Sequence, residues 1–413
     1  MPDHTLGPPA PSLWTRRRRL RLSLRGLMVL VLIFGGGLGW IVLRTKVQRD
    51  AVLAITRTGG SVVYDWDIWP NRWFSPTRAP KALKWLVDWL GPDYLGNVVR
   101  VWLGPSAGDA EMAHVVRLPR LISFSDLGAT ITDAHAVDLG NLLELQSVDF
   151  SGRSRVTGAT FARLAGLPKL HTLHAGGLEV GDADLLAFAG WPRLNNLDLS
   201  STRITDAGLA HLRGMGGLLS LGLDDTAITG AGLENLGPMP QLLEIRLSRT
   251  RVADLTPLVG LAKLRRLDLS QTPITDSGLA PIVKLAGLRT LIIENSRITQ
   301  AGLIPLQNLK NLTVLDLSGS WITDSGAEAL AKVPNLTELY LPNSAITDAG
   351  VAQLRQIKNL IDLDLIGSAI TDAALAHFLG MNQLRNLHLG GTNVSLGGAA
   401  MLRRTYPHLD VIR

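Results

Sequence analysis

Apolar residues from position 170 onward follow a pattern that repeats with a fixed period. Each unit begins with leucines spaced L-x-x-L-x-L, continues through a few polar residues, and ends in a short stretch with apolar residues at helical spacing. The spacing is 24 residues throughout, apart from one unit of 22 residues. This period indicates a solenoid, in which each unit stacks on its neighbours because it cannot bury its leucines alone. The first leucines of successive units are Leu170, Leu194, Leu218, Leu242, Leu264, Leu288, Leu312, Leu336, Leu360 and Leu384.

The leucines that open each unit alternate with polar residues, as in Leu194, Leu197 and Leu199. This alternation predicts one short strand with its leucines pointing inward. A hydroxyl side chain follows three positions after the last leucine. A short hydroxyl there can hydrogen-bond the backbone of the turn and satisfy groups that stacking buries. These hydroxyl residues are Thr202, Thr226, Thr250, Thr272, Ser296, Ser320, Ser344, Ser368 and Thr392.

A Thr-Asp pair then begins a short helix in many units. Threonine is a favourable N-cap, and aspartate in the first turn is stabilised by the helix dipole. Because these carboxylates recur with the repeat, we interpret them as structural rather than catalytic. The pairs are Thr205-Asp206, Thr275-Asp276, Thr323-Asp324, Thr347-Asp348 and Thr371-Asp372.

The array extends toward the N-terminus as degraded copies at residues 122–145 and 146–170, with a first strand at 98–103. The repeat domain is therefore predicted to span residues 98–413, with about 13 repeats of 24 residues and one of 22. The predicted fold is α/β, a horseshoe-shaped solenoid preceded by one transmembrane helix. Its strands form a parallel sheet on the concave face, and its short helices form the convex face.

The N-terminal 43 residues carry a membrane signal. Residues 1–25 form a predicted disordered, basic cytoplasmic tail, with six arginines just ahead of an uncharged apolar stretch at 26–43. As a helix that stretch spans about 27 Å, close to the roughly 30 Å of a bilayer core. We interpret it as an uncleaved signal-anchor because no small-residue cleavage site follows. The arginine excess predicts a cytoplasmic N-terminus and an extracytoplasmic repeat domain.

Two alternatives to the anchor remain, a cleaved signal peptide and a buried soluble helix.

The positive charge of the chain lies in its N-terminal 50 residues and not in the repeat domain. Residues 1–50 hold nine Lys or Arg and two acids, whereas the rest of the chain holds 32 basic and 33 acidic residues. A nucleic-acid-binding body is expected to carry its own basic stripe, so no nucleic-acid partner is predicted. The chain has no cysteine, which excludes disulfides and thiol chemistry.

Residues 44–97 differ in composition, with five of the ten tryptophans. We predict a Trp-rich linker and N-terminal cap. Within it, the stretch at 81–90 places Trp85 and Trp89 at helical spacing with leucines, which is typical of a packed amphipathic face. Such a helix would cover the leucines at the open end of the solenoid. The alternative is an aromatic ligand site.

The unit LxxLxLxxTxITDxGLxxLxxL resembles the leucine-rich repeat superfamily over residues 98–413. Its TDxGL core is similar to the repeats of F-box leucine-rich repeat proteins, although this chain lacks their cysteines and an F-box. The whole arrangement resembles bacterial membrane-anchored repeat proteins, through Ser23-Leu24-Arg25, a GGxVxYDW-like motif at 59–66 and LGPDYLGNVV-like residues at 91–99. The resemblance implies protein interaction, and most bacterial members have no assigned ligand.

No catalytic signature is present among GxSxG, Walker A, HExxH and dinucleotide-binding patterns, so no enzyme activity, cofactor, metal or small-molecule substrate is predicted. The outward-facing strand positions are the candidate binding surface for a protein or peptide, unless they are merely solvated. Their acids favour a basic partner, with Tyr340 as an anchor. Alternative hypotheses are an intracellular substrate-recognition adaptor, as in ubiquitin ligase complexes, and a purely structural envelope role. The candidate residues are Glu244, Arg246, Asp268, Asp316, Glu338, Tyr340, Asp362 and Asp364.

Overall fold

The computed structural model describes residues 24–68, 84–150, 152–188, 191 and 193–413, with side chains from residue 39 onward except at 67, 68 and 84. Residues 1–23 of the predicted cytoplasmic tail lie outside this part, as do the side chains of residues 26–38 in the predicted anchor.

Strands in the described part of the chain form one sheet of fifteen, arranged in sequence order. β1 pairs antiparallel with β2, and β2 to β15 are parallel and in register. The predicted α/β solenoid is therefore confirmed, and the strands predicted in the repeats are β2 to β14. The strands are β1 Ser61–Tyr64, β2 Val98–Trp102, β3 Ser123–Ser125, β4 Ser147–Asp149, β5 Thr172–His174, β6 Asn196–Asp198, β7 Ser220–Gly222, β8 Glu244–Arg246, β9 Arg266–Asp268, β10 Thr290–Ile292, β11 Val314–Asp316, β12 Glu338–Tyr340, β13 Asp362–Asp364, β14 Asn386–His388 and β15 Asp410–Ile412.

Short helices return the chain from each strand to the next. The α-helices of the described residues are α1 Leu24–Arg57, α2 Lys84–Leu90, α3 Pro92–Leu95, α4 Asp109–Val115, α5 Asp133–Ala136, α6 Gly158–Leu164, α7 Asp206–Leu209, α8 Gly230–Asn235, α9 Asp276–Leu279, α10 Gln300–Leu303, α11 Asp324–Leu330, α12 Asp348–Leu354, α13 Leu375–Phe378 and α14 Leu396–Thr405. The 3-10 helices there are Asp65–Ile68, Val137–Asn141, Asp182–Phe188, Ala210–Leu212, Thr256–Leu258, Ala280–Lys284, Ile304–Asn308 and Asp372–Ala374. The 22-residue unit has only the 3-10 turn Thr256–Leu258 on its back, as its shorter sequence requires.

One continuous core runs along the solenoid between the sheet and the helices. The central apolar residue of each three-residue strand, such as Leu315, is buried because its neighbours sit directly above and below it in the register. Six of the nine predicted hydroxyls bond back to their own turn, as when Thr202 Oγ1 donates to the Leu199 carbonyl at 2.6 Å; the six are Thr202, Thr226, Thr250, Thr272, Ser368 and Thr392. The prediction is wrong for the other three: Ser320 donates to the Ile293 carbonyl of the preceding repeat, Ser296 hydrogen-bonds Ser320, and Ser344 Oγ has no hydrogen-bond partner among the described residues.

In most repeats, the threonine that begins the helix hydrogen-bonds the aspartate of the preceding repeat. Thr347 donates from its backbone nitrogen and its hydroxyl to the two carboxylate oxygens of Asp324, at 2.8 and 2.7 Å. The same hydroxyl accepts the Ala349 N–H at the start of its own helix. Sequence analysis predicted the cap and missed the contact between repeats. Other repeats contain the same pair, namely Thr132–Asp109, Thr157–Asp133, Thr205–Asp182, Thr229–Asp206, Thr299–Asp276 and Thr371–Asp348.

The glycine of the TDxG motif makes room for this joint. A Cβ at Gly350 would lie 2.4 Å from Asp324 Oδ1, and a Cβ at Gly302 would lie 2.4 Å from Asp276 Oδ1. Where Gln300 replaces the aspartate, the next threonine, Thr323, hydrogen-bonds Ser325 instead. The motif TDxG is therefore one inter-repeat joint made of a threonine, an aspartate and a glycine.

The N-terminal end of the solenoid is covered by the last part of α1 and by β1. Ala51 and Ile55 are fully buried there, and α1 packs against α3, α4 and β1. The side-chain amide of Gln48 accepts the Val98 N–H at 3.1 Å and donates to the Gly96 carbonyl at 2.9 Å, which ties α1 to the first parallel strand.

The tryptophans of α2 do not lie on a packed face. Trp85 is 68% exposed and Trp89 is 76% exposed, so the expectation that they pack against the solenoid end is wrong. The reason is that α1 already occupies the end of the core. The predicted boundary at residue 43 also lies inside a helix, because α1 runs unbroken from Leu24 to Arg57. Among the helical residues with described side chains, no stretch has the length and apolar character needed to cross a bilayer.

Replacing Asp324 with alanine removes both hydrogen bonds to Thr347, and we expect a loss of about 1–3 kcal/mol in unfolding free energy. Gln300 holds the same repeat position without such bonds, so Gln300→Ala is the matched control and should change stability by less than about 0.5 kcal/mol. Urea unfolding followed by circular dichroism measures both. Equal losses in the two variants would contradict the joint.

Candidate functional site

The candidate site is the face of the sheet opposite the buried leucines. The first and third residues of most repeat strands are half-buried there, and the in-register pairing aligns them in two rows. His174 is instead exposed, and Ser125 and Gly222 are buried. All eight candidate residues lie on this face, where strands are spaced at roughly 4.8 Å. Glu244 and Arg246 lie on β8, Asp268 on β9, Asp316 on β11, Glu338 and Tyr340 on β12, and Asp362 and Asp364 on β13.

Arg246 forms ion pairs with two acidic residues of its own chain. Its Nη2 lies 2.9 Å from Asp198 and its Nε lies 2.8 Å from Asp224. The guanidinium reaches across β7 because Gly222 has no side chain, since a Cβ there would lie 2.4 Å from Nη2. Burial by itself would raise the pKa of Asp198, but hydrogen bonds from Ser200 and the Arg246 charge outweigh it and lower that pKa. Arg246 therefore holds β6, β7 and β8 together.

The neighbouring charges on β8 and β9 are also paired. Glu244 lies 3.5 Å from the guanidinium of Arg266, although both side chains remain partly exposed. The first part of the candidate surface is therefore close to neutral, and its ion pairs are internal.

The surface from β9 to β13 is different, because its acids accumulate without basic partners. We define the acidic row as Asp268, Glu294, Asp316, Glu338, Asp362 and Asp364. Among the described residues, none of these six carboxylates lies within ion-pair distance of a lysine or arginine. Asp362 lies 3.8 Å from His388, and its other carboxylate oxygen accepts a hydrogen bond from the Asn386 amide at 3.0 Å. This part of the face is complementary to a cation.

Three of these carboxylates are fixed at the ends of their strands. Asp268 accepts the Ser270 N–H at 2.9 Å, Asp316 accepts the Ser318 N–H at 2.9 Å, and Asp364 accepts the Ile366 N–H at 2.8 Å. Each bond closes the turn after a strand. The carboxylates are thus held in place before any partner arrives.

Crowding of acids changes their proton affinity. Burial, the nearby charges of Asp316 and Asp268, and a hydrogen bond to Asp316 raise the pKa of Glu294. Burial and the charges of Asp362 and Asp316 likewise raise the pKa of Asp364, against the Ile366 N–H and His388. Uncompensated negative charge is therefore concentrated here.

Tyr340 lies in the middle of this region. It is in register with Asp316 on one side and Asp364 on the other, and its hydroxyl donates to Glu338 at 3.0 Å. Burial, followed by the hydrogen bond to Glu338 and the surrounding acids, raises the pKa of Tyr340, so the phenol stays protonated at neutral pH. It offers an aromatic face flanked by carboxylates.

Sequence reasoning missed Glu294 as a member of this surface. It lies two residues beyond the end of β10, at the same repeat position as Ser270 and Ser318 in the neighbouring turns. Each repeat therefore has a third outward-facing position, in addition to the first and third residues of its strand. Asp224, which binds Arg246, holds the same position. The signal was present in the repeat spacing. Within the part of the chain with described side chains, no group of three or more His, Asp or Glu is arranged to hold a metal ion.

Comparisons with sequence families identify the repeat. A family model described as a leucine rich repeat matches residues 286–346 and 334–394, and a second leucine rich repeat model matches residues 260–283. A search of curated proteins finds no match.

Solved structures share the fold. An internalin of Listeria monocytogenes matches with 24% identity and a TM-score of 0.56, covering 72% of this chain and 82% of the internalin chain. A leucine-rich repeat protein of Leptospira interrogans matches with 17% identity and a TM-score of 0.52, over 73% and 80% of the two chains. TLR13, in a complex with the RNA ssRNA13, matches with 22% identity and a TM-score of 0.52, over 68% of this chain and 40% of TLR13.

The raised pKa of Glu294 sets the direction of a pH effect. A carboxyl whose pKa is higher in the folded state contributes stability below its unfolded pKa and loses that contribution as pH rises through the folded pKa. We therefore expect Glu294→Gln to raise the urea midpoint at pH 7, with the difference shrinking toward pH 4. Glu328→Gln, at an exposed ion pair with Lys332, is the control and should change little at either pH. A Glu294→Gln shift of equal size at both pH values would show that its effect is not electrostatic.

Proposed function

Because this chain belongs to the leucine-rich repeat superfamily, we propose that it is a binding module that takes a protein or peptide partner on its concave face. The observation that supports the partner's chemistry is the acidic row, whose six carboxylates have no lysine or arginine beside them among the described residues. Charges of opposite sign on a partner would relieve the repulsion that raises the pKa of Glu294 and Asp364.

The proposed ligand is a basic segment of a protein, such as an extended peptide with several Lys or Arg residues. Such a segment would lie across β9 to β13, with its charges at the carboxylates and an apolar or cationic side chain on the ring of Tyr340. The solved TLR13 complex contains RNA, yet an RNA backbone would bring phosphates against the acids of this face. The charge of the face thus favours a protein segment over a nucleic acid.

The proposal includes attachment to a membrane through residues 26–43, with the N-terminus in the cytoplasm and the repeat domain outside it. The support comes from the sequence, in which an uncharged apolar stretch of bilayer length follows six arginines. The concave face would then sample proteins or peptides of the cell envelope or the surroundings. No catalytic step is part of this function.

The partner's chemistry is tested by selecting from a random peptide library displayed on phage with the purified full chain. We expect selected peptides to be enriched in Lys and Arg. We also expect the triple variant Glu338→Gln, Asp362→Asn, Asp364→Asn to bind them roughly ten- to hundredfold more weakly, at about 0.5–1 kcal/mol for each lost charge.

The matched control neutralises three exposed acids elsewhere, with Glu179→Gln, Glu234→Gln and Glu328→Gln, and should retain the wild-type affinity. Selected peptides without positive charge would reject the proposed partner, as would equal weakening in the two triple variants.

Topology is tested by fusing alkaline phosphatase, which is active only outside the cytoplasm, after Arg413. We expect activity there and none when the same reporter is fused ahead of Arg16. If the reporter after Arg413 is silent and a cytoplasmic reporter at that site is active, the repeats are intracellular. That outcome would favour the adaptor hypothesis and reject the proposed location.

A further inference from the structure

A cleft lies at the N-terminal end of the solenoid, on the side where α1 enters. It has a volume of about 250 Å³ and separates α1 from the turn that follows α4. Its walls are mainly apolar, with Trp40 and Leu43 from α1 facing Leu118 across the cleft. Three arginines line it as well, Arg44 on α1 and the pair Arg117 and Arg120 on the opposite wall.

The three arginines differ in how they are held. Arg44 is half-buried, donates to the Asn97 side chain and lies 5.6 Å from the centre of the Trp40 ring. Arg117 and Arg120 are exposed. Glu144 lies close enough to Arg120 to feel its charge, but the ion pair of Glu144 is with Lys169, at 2.7 Å. The cleft therefore combines a net positive charge from its arginines with walls that are mainly apolar.

The position of the cleft along α1 is informative. Arg44 is the first charged residue after the apolar stretch 26–43, and Trp40 lies one turn before it on the same unbroken helix. Trp40 is 62% exposed and Leu43 is 63% exposed, so both line the cleft and still leave most of their surface accessible. If 26–43 spans a bilayer, these residues lie at its outer boundary, where tryptophan is favoured and arginine reaches lipid phosphates.

We propose that this cleft binds the headgroup phosphate of an anionic phospholipid in the outer leaflet. Arg44, Arg117 and Arg120 surround the phosphate, while Trp40 and Leu43 contact the upper acyl chains. The inference rests on the membrane attachment in the proposed function. Since Gln48 and Asn97 fasten α1 to the first repeat, a bound lipid would hold the end of the solenoid against the bilayer and fix the direction in which the concave face points.

The test uses the full chain in detergent micelles and native mass spectrometry, with phosphatidylglycerol and phosphatidylcholine as probes. We expect the wild type to bind phosphatidylglycerol at least tenfold more tightly than phosphatidylcholine. The double variant Arg117→Gln, Arg120→Gln should lose that preference. Arg44 is left unchanged because it also bonds Asn97.

The control double variant Arg251→Gln, Arg297→Gln removes two exposed arginines of the repeats and should keep the preference, which separates the cleft from general attraction by positive charge. Equal affinity of the wild type for both lipids would overturn the site, as would equal losses in both variants. Displacement of the lipid by free glycerol phosphate at similar concentration would show a site for a soluble phosphate instead.

Alkaline extraction of membranes separates this inference from the function on which it rests. If the wild type is released into the supernatant, the membrane attachment is wrong and the lipid site is wrong with it. If the chain is retained and the cleft variant matches the wild type in lipid preference, only the lipid site is wrong. Peptide binding on the concave face should be unchanged in the cleft variant, because its substitutions lie outside the acidic row.

Discussion

The hydrogen bonds between the aspartate of one repeat and the threonine of the next hold the repeats in one register. In the pair formed by Asp324 and Thr347, both carboxylate oxygens are used, and Gly350 leaves the space that the carboxylate occupies. A single repeat cannot bury its leucines, so the core exists only where neighbouring units meet. The joint aligns the units, and the central apolar residues of the strands then belong to one continuous core.

The same register creates the electrostatics of the concave face. Residues at equivalent positions stand side by side at strand spacing, so acids placed one per repeat become neighbours in space. In the middle of the array this repulsion is relieved, because Arg246 reaches Asp198 and Asp224 over Gly222. Toward the C-terminus no such arginine is found among the described residues, and the pKa of Glu294 and of Asp364 rises. The same repeated scaffold thus carries a nearly neutral surface around Arg246 and a negatively charged surface at the acidic row.

Much of the fold was predictable because each signal is local and recurs. The alternating leucines place a strand in every unit, and the hydroxyl that bonds back to the turn follows at a fixed offset, as Thr202 does. The outward strand positions, which include Tyr340, followed from the same alternation. The cap was harder to predict, since the spacing of Trp85 and Trp89 fits a packed helix while α1 already fills the end of the core.

The sequence by itself determined the repeat, its strands and helices, and which side chains leave the sheet on the concave side, because a period of 24 residues leaves little freedom in what can be buried. Only the tertiary structure decided which of those side chains are engaged with one another. Arg246 and Asp198 are two repeats apart, and their contact depends on a missing Cβ at Gly222 between them. Such contacts depend on the distances between side chains of stacked repeats, and the pattern of residues along the sequence does not specify those distances.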